Sequence, residues 1–176
     1  LTSHTYPITE TAKAANAFKT LRMRLEQHFT ITANPSTNNE PLSILNDREL
    51  TSAYGPVFSN GVQNGKYKID LGTSEPIKQL TIWSYGMAER GTQDIMLYGS
   101  TSADDPGWNT ANYIPIGSIC AGGTPGQFTA AALRAGQRAT LGRHRWILYR
   151  VKPVTDSSGG ENTAFQEFAV ELAPQP

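Results

Sequence analysis

The chain has 176 residues, with 15 basic and 15 acidic side chains and a formal net charge of zero. That balance excludes a long-range pull toward nucleic acid or an anionic membrane, while leaving room for a local basic patch; no apolar run is long enough to span a bilayer. Its 16 glycines and 11 prolines favour short strands joined by turns, in a length that suits one domain with an extension.

Residues 1–27 read as an extension outside the main domain. From Thr9 to Phe29 there are helix formers and no Gly or Pro, with Ala14, Phe18, Leu21 and Leu25 at helical spacing. The spacing predicts one amphipathic helix, capped by Thr9 or Thr11 and ending near His28, packed on the domain or reaching a neighbour. Residues 28–173 form the domain proper and 174–176 a tail. After Phe29 a first strand runs into a polar loop, Leu45-Asn46-Asp47-Arg48-Glu49-Leu50-Thr51. Residues 52–65 are an irregular loop anchored by Tyr54 and Phe58.

Next comes the most informative stretch, 66–100. Tyr67, Ile69 and Leu71 alternate with Lys66, Lys68 and Asp70, which puts one apolar row on one face of a strand. Gly72 to Pro76 is a turn. Ile77, Leu80, Ile82 and Trp83 begin a second strand, Ser84 to Gly91 is a polar loop, and Ile95, Leu97 and Tyr98 mark a third strand. A turn-rich connection follows, with a tight turn at Asp105-Pro106-Gly107 and Trp108 beyond it.

Strands are then predicted over Tyr113–Cys120, Gln127–Leu133, Arg143–Pro153 and Ala164–Leu172. Trp146, Leu148 and Tyr149 are core candidates, and His144, Arg145 and Arg150 are expected to be less buried. Cys120, the lone cysteine, reads as a buried strand thiol. No internal repeat is visible. Short strands without βαβ alternation predict an all-β fold, an antiparallel β-sandwich of jelly-roll type with an N-terminal helix.

Motifs for catalysis are missing. His4, His28 and His144 fit no metal-ligand spacing, and there is no nucleophile elbow or P-loop. Asp104, Asp105 and Glu161 read as solvated loop carboxylates. The chain is expected not to be an enzyme.

The run IDLG, a turn, IKQLTIW, an arginine-bearing loop and DIMLYGS resembles the middle of discoidin domains, also called coagulation factor 5/8 type C domains. These are galactose-binding-like β-sandwiches; without a disulfide, the chain resembles the bacterial, carbohydrate-binding members. The closing FQEFAVEL is similar to the family's last strand. The resemblance departs in the polar loop, where Arg48 replaces a common glycine and a frequent Trp is absent.

The resemblance implies a structural calcium ion on Asp47, Thr51 and Glu167; Asp47 has an ordinary alternative, bonding the N–H groups of its own turn. It also implies a shallow sugar site on the 84–90 loop, with Arg90 as a forked donor and Tyr85 as a stacking ring. Trp108, Tyr54 and Asn162 are the further candidates from neighbouring loops. The expected partner is a polysaccharide or glycan, the context a neighbouring domain of a larger secreted protein, and the location extracellular, periplasmic or at the cell surface. Two other readings stay open on the same fold: a structural domain packed on a neighbour, and a protein- or lipid-recognition domain with Met87 and Phe58 as apolar spikes.

Overall fold

The computed structural model describes residues 2–8 as backbone, and 29–51, 54–59, 62, 64–86, 93–121, 125–137, 139–153 and 164–174. Among the described residues there are ten strands: β1 Thr2–Ile8, β2 Thr30–Asn34, β3 Asn38–Asn39, β4 Pro56–Val57, β5 Gly65–Tyr85, β6 Gln93–Ser100, β7 Ile114–Ala121, β8 Phe128–Arg134, β9 Arg143–Pro153 and β10 Ala164–Leu172. Two short 3₁₀ helices, Leu42–Asn46 and Thr110–Asn112, lie between them. Every strand pairing is antiparallel.

The molecule is organised by β5, whose 21 residues belong to two layers. Its first half pairs β2 and β9, in a layer ordered β2-β5-β9-β6-β7. Its second half pairs β8 and β10, in a layer ordered β1-β8-β5-β10. Between the halves, the pairing with β9 jumps from Asp70 to Glu75. Gly72 sits there at φ 78°, a left-handed conformation that costs glycine least. The expected turn is therefore a bend through which one strand changes layers.

Alternation along β5 fills the space between the layers. Tyr67, Ile69, Leu71, Ile77, Leu80 and Ile82 all enter one core. Rings bridge the layers: Tyr67 meets Phe165 and Phe168 edge-on at 5.8 and 5.3 Å, and Tyr149 stacks on Phe168 at 4.9 Å. Aromatic burial of this kind is worth about 1.5–3 kcal/mol per side chain, with roughly 0.5–1.5 more for a well-placed pair. The layers make the expected antiparallel β-sandwich.

The registers define two ends. Gly65, Tyr85, Gln93, Ala121, Phe128, Pro153 and Ala164 lie at one, here the upper end. Asp70, Ile77, Ser100, Arg134, Arg143 and Leu172 lie at the other, and Thr2 joins them through its pairing with Arg134.

Several expectations are corrected. Residues 2–8 are not outside the sandwich: they form β1, the edge strand on β8. Residues 9–28, where the helix was expected, lie outside the described residues. His144 is buried, at 5% exposure, because its ring fills a slot left by two glycines; a Cβ on Gly99 or Gly142 would come within 2.4 Å of it. Cys120 is exposed, since Ile119 and Ala121 take the inward positions of β7. Phe58 is buried against Tyr67 at 4.8 Å and is no surface spike; Met87 lies outside the described residues.

Candidate functional site

The upper end of the sandwich carries the loops in which the sugar site was expected. Ser84 and Tyr85 are not on a free loop but close the end of β5. Tyr85 is half-buried, paired with Phe128 and Ala164, and its ring leans on that of Phe128 at 4.8 Å. Behind it, Ser84 and Thr129 share a buried hydroxyl hydrogen bond of 2.9 Å. Gly86 is bonded to the turn just before β8 through both of its polar groups: its N–H reaches the Gln127 carbonyl at 2.8 Å, and its own carbonyl accepts the Gly126 N–H at 2.7 Å. The base of the 87–92 connection is thus fixed.

Tyr54 is half-buried at the same end. Its neighbour Gly55 lies so close to β10 that a Cβ would stand 2.0 Å from the Phe165 carbonyl oxygen. Tyr54 and Tyr85 therefore share one end of the fold. Arg90 and Asn162 lie outside the described residues.

Trp108 is not part of this end, because it follows β6, which runs from the upper end to the lower. The 101–113 connection folds back over the outer face of the β2-β5-β9-β6-β7 layer. There the Lys68 ammonium lies 4.3 Å from the centre of the Trp108 ring and 5.4 Å from that of Trp146. Asp105 accepts two hydrogen bonds from the same ammonium, at 2.5 and 2.6 Å. Tyr98, Tyr113, Trp146 and Leu148 complete a second small core under this connection. The hydrogen bond from Lys68 holds the Asp105 carboxyl below its usual range; the bidentate bond from Arg145, at 2.8 and 2.9 Å, does the same for Asp70. Trp108 is a packing residue of this lid, and sequence reasoning missed Lys68 as its organiser. The signal was there in outline, since Lys68 alternates with inward apolar residues, in a layer whose outer face carries Tyr98 and Trp146 on neighbouring strands.

The segment that carries Asp47 and Thr51 lies against the strand that carries Glu167. The 41–51 segment closes the open edge of the sandwich between β2 and β10. Asn46 Nδ2 donates to the Phe29 carbonyl at 2.9 Å, and Glu167, fully buried on β10, accepts the Arg48 N–H at 3.2 Å. Thr51 donates from both its N–H and its hydroxyl to Gln166 Oε1, at 3.3 and 3.0 Å. Asp47 Oδ1 accepts the Glu49 N–H at 2.7 Å, the turn-stabilising alternative, and Arg48 takes φ 68°.

A cleft of about 230 Å³ opens here, lined by Glu40, Ile44, Asp47, Glu49, Thr51 and Gln166. Among the described residues no three His, Cys, Asp or Glu side chains converge to hold a metal by themselves. The donors are all oxygens, the type that a hard cation takes, so the residues fit calcium in chemistry. The shell would need carbonyl oxygens of the loop beside Asp47, Thr51 and Glu167.

With this geometry in place, solved structures give the comparison. The chain is similar to the CBM32 of AlyQ in complex with 4,5-unsaturated mannuronic acid: 17% identity, TM-score 0.57, with 85% of this chain and 99% of that one covered. It is similar to the CBM32-1 and CBM32-2 domains of Clostridium perfringens ZmpB in complex with GalNAc: 12% identity, TM-score 0.61, with 98% of this chain and 39% of that one covered. The fold is that of family 32 carbohydrate-binding modules. The C. perfringens NanJ family 32 module, solved in complex with galactose, agrees: 10% identity, TM-score 0.54, with 81% and 92% covered. No protein-family model and no curated protein sequence matches the chain. The discoidin-type resemblance read from the sequence is thus borne out as a fold. No helix among the described residues is long and apolar enough to cross a membrane.

Proposed function

We propose that this chain is a non-catalytic carbohydrate-binding module whose sugar site is at the upper end of the sandwich. The observation that carries the reading is its fold, shared with modules solved in complex with mannuronate, GalNAc and galactose. A half-buried tyrosine braced on Phe128, with a firmly bonded strand end behind it, supports the choice of end. A ring held in this way covers the C–H face of a sugar with little ordering cost, while Arg90, on the loop that follows, supplies a planar fork for two vicinal hydroxyls. Tyr54 stands on the same end, and Asn162 is on the connection leading into β10. A structural calcium on Asp47, Thr51 and Glu167 would brace the 41–51 segment against β10 and would take no part in sugar contact. The module would serve a larger extracellular, periplasmic or cell-surface protein by holding a neighbouring domain on its glycan.

Sites this open bind weakly, with a dissociation constant of about 0.1–1 mM. A glycan array followed by titration calorimetry tests the reading. Tyr85→Ala and Arg90→Ala are each expected to abolish measurable binding with the melting temperature of Arg90→Ala unchanged. A wild-type chain that takes no neutral or anionic glycan at millimolar concentration returns the fold to a structural role.

A further inference from the structure

Among the described residues, the 101–113 lid covers the lower half of the outer face of the β2-β5-β9-β6-β7 layer. The lid at 101–113 seats Lys68, Trp146, Leu148 and Tyr98. One residue pair further toward the upper end, the same face carries Lys66 on β5 directly opposite Arg150 on β9, with Asn34 and Met96 as the outer neighbours of this row. The next row holds Lys152 opposite Asp94. The faces follow from alternation: Lys66 shares the side of Lys68, and Arg150 and Lys152 share the side of Leu148.

Two like charges directly opposite in a sheet repel and destabilise it, with side chains about 5 Å apart. Elsewhere the fold gives such cations a partner. Lys68 has Asp105, Arg145 has Asp70, and Lys78 donates to the carbonyls of Gly136, Gln137 and Ala139. Lys66, Arg150 and Lys152 have no hydrogen bond or ion pair among the described residues, and the Arg150 Nε is buried without an acceptor. Asp94 faces Lys152 across the strands, but the Lys66–Arg150 row has only Asn34 and Met96 beside it and no anion.

We infer that this strip is a second polysaccharide contact, selective for an acidic chain carrying carboxylates or sulfate esters. An extended polymer lying across the strands meets Lys66 and Arg150 side by side and Lys152 one row on. The lid, with Trp108 half-buried in it, walls the strip on its lower side. Arginine is suited to this role, because its fork takes two oxygens of one anionic group. The strip is on the β2-β5-β9-β6-β7 layer, whereas Tyr85 is paired in the other layer, so it stands or falls independently of the sugar site proposed there.

The test is affinity electrophoresis of the full chain in native gels containing polygalacturonate, dextran sulfate or neutral dextran, each compared with an empty gel. Retardation by polygalacturonate, by dextran sulfate or by both, and not by dextran, is expected, and the pattern says whether carboxylate or sulfate is preferred. The Lys66→Gln/Arg150→Gln double variant should weaken that retardation by about tenfold, a 1.4 kcal/mol effect. Lys152→Gln, at an exposed position, should weaken it less and keeps the test valid if the double variant misfolds. Arg134→Gln, an exposed cation on the other layer, should leave it unchanged. Equal loss with Arg134→Gln would mean diffuse charge attraction and overturn the proposal, as would an unretarded wild type.

Discussion

Asp105 reaches across 37 residues of sequence to hold the Lys68 ammonium at 2.5 Å, and that contact ties the 101–113 connection to the outer face of the sandwich. The two partners differ in setting: Lys68 is 4% exposed and Asp105 55%. Truncating the exposed partner leaves a buried ammonium with two ring faces and the more distant Asp70 carboxylate, and no hydrogen-bonded anion. Asp105→Ala is expected to cost about 1–2 kcal/mol in urea unfolding. Lys68→Met removes the charge to be desolvated and keeps the stem under Trp108, so it should cost less than Asp105→Ala. The opposite order would show that the ring contacts, not the carboxylate, hold the lysine.

Acid should lower the stability of the domain in two pH windows. Burial holds His144 below its ordinary 6.5, despite the Leu141 carbonyl at 3.2 Å from Nε2 that favours the charged form. Glu75 is opposite on β5, Arg143 and Arg145 flank His144 in the chain, and Gly99 and Gly142 make the walls of its slot. A depressed histidine binds its proton more readily when unfolded. Its contribution is therefore complete above pH 6.5 and is lost as pH falls through the lower folded value. Asp70 and Asp105, both held below 3.8, contribute above that pH and lose their share further down, through their own folded values. Melting temperatures measured from pH 7.5 to 3 should fall in both windows. His144→Gln should flatten the upper one and leave the lower.

Two glycines with positive φ should respond very differently to alanine. Gly55, at φ 45°, would drive its new Cβ to 2.0 Å from the Phe165 carbonyl, whereas Gly72, at φ 78°, faces open space. Gly72→Ala should cost about 1 kcal/mol, the strain of the backbone alone. Gly55→Ala should cost several times that, on the order of 3 kcal/mol, because β4 or β10 must shift. Chemical denaturation of the two variants side by side reads the difference.

Calcium should stabilise the native state through the 41–51 segment. At 100 times its dissociation constant a single-site ligand adds about 2.7 kcal/mol. Melting curves in excess calcium and in chelator should separate, and Glu167→Gln should bring them together. Superimposable wild-type curves would leave Asp47 as a turn-former and Glu167 as a structural acceptor of the Arg48 N–H.

Much of this was legible in the chain. β9 and β10 have the bounds that alternation predicted, and the row Tyr67, Ile69, Leu71 faces the core as read. The bond between Arg48 and Glu167 brings the polar loop to the last strand, as the family resemblance implied. What could not be read depended on partners distant in sequence. Thr2–Ile8 has no apolar alternation and is a strand because β8 offers it an edge. Trp108 was legible as an aromatic on a loop, but its place follows from Asp105 and Lys68. Ile119-Cys120-Ala121 is apolar throughout, so only the register with β6 decides that the thiol points outward. His144 reads as polar, and its burial depends on glycines at 99 and 142 that leave room for a ring.

Thr2 and Leu172 both lie at the lower end, while Tyr85 lies at the upper. At about 3.3 Å per residue, the nine residues of β10 alone separate them by nearly 30 Å. A tether joined next to Thr2 or Leu172 thus leaves Tyr85 at the far end of the sandwich from its anchor. For a biosensor surface, coupling through an N-terminal or a C-terminal tag should report the same affinity, whereas random amine coupling through Lys66 or Lys152 should blunt the response to acidic polymers.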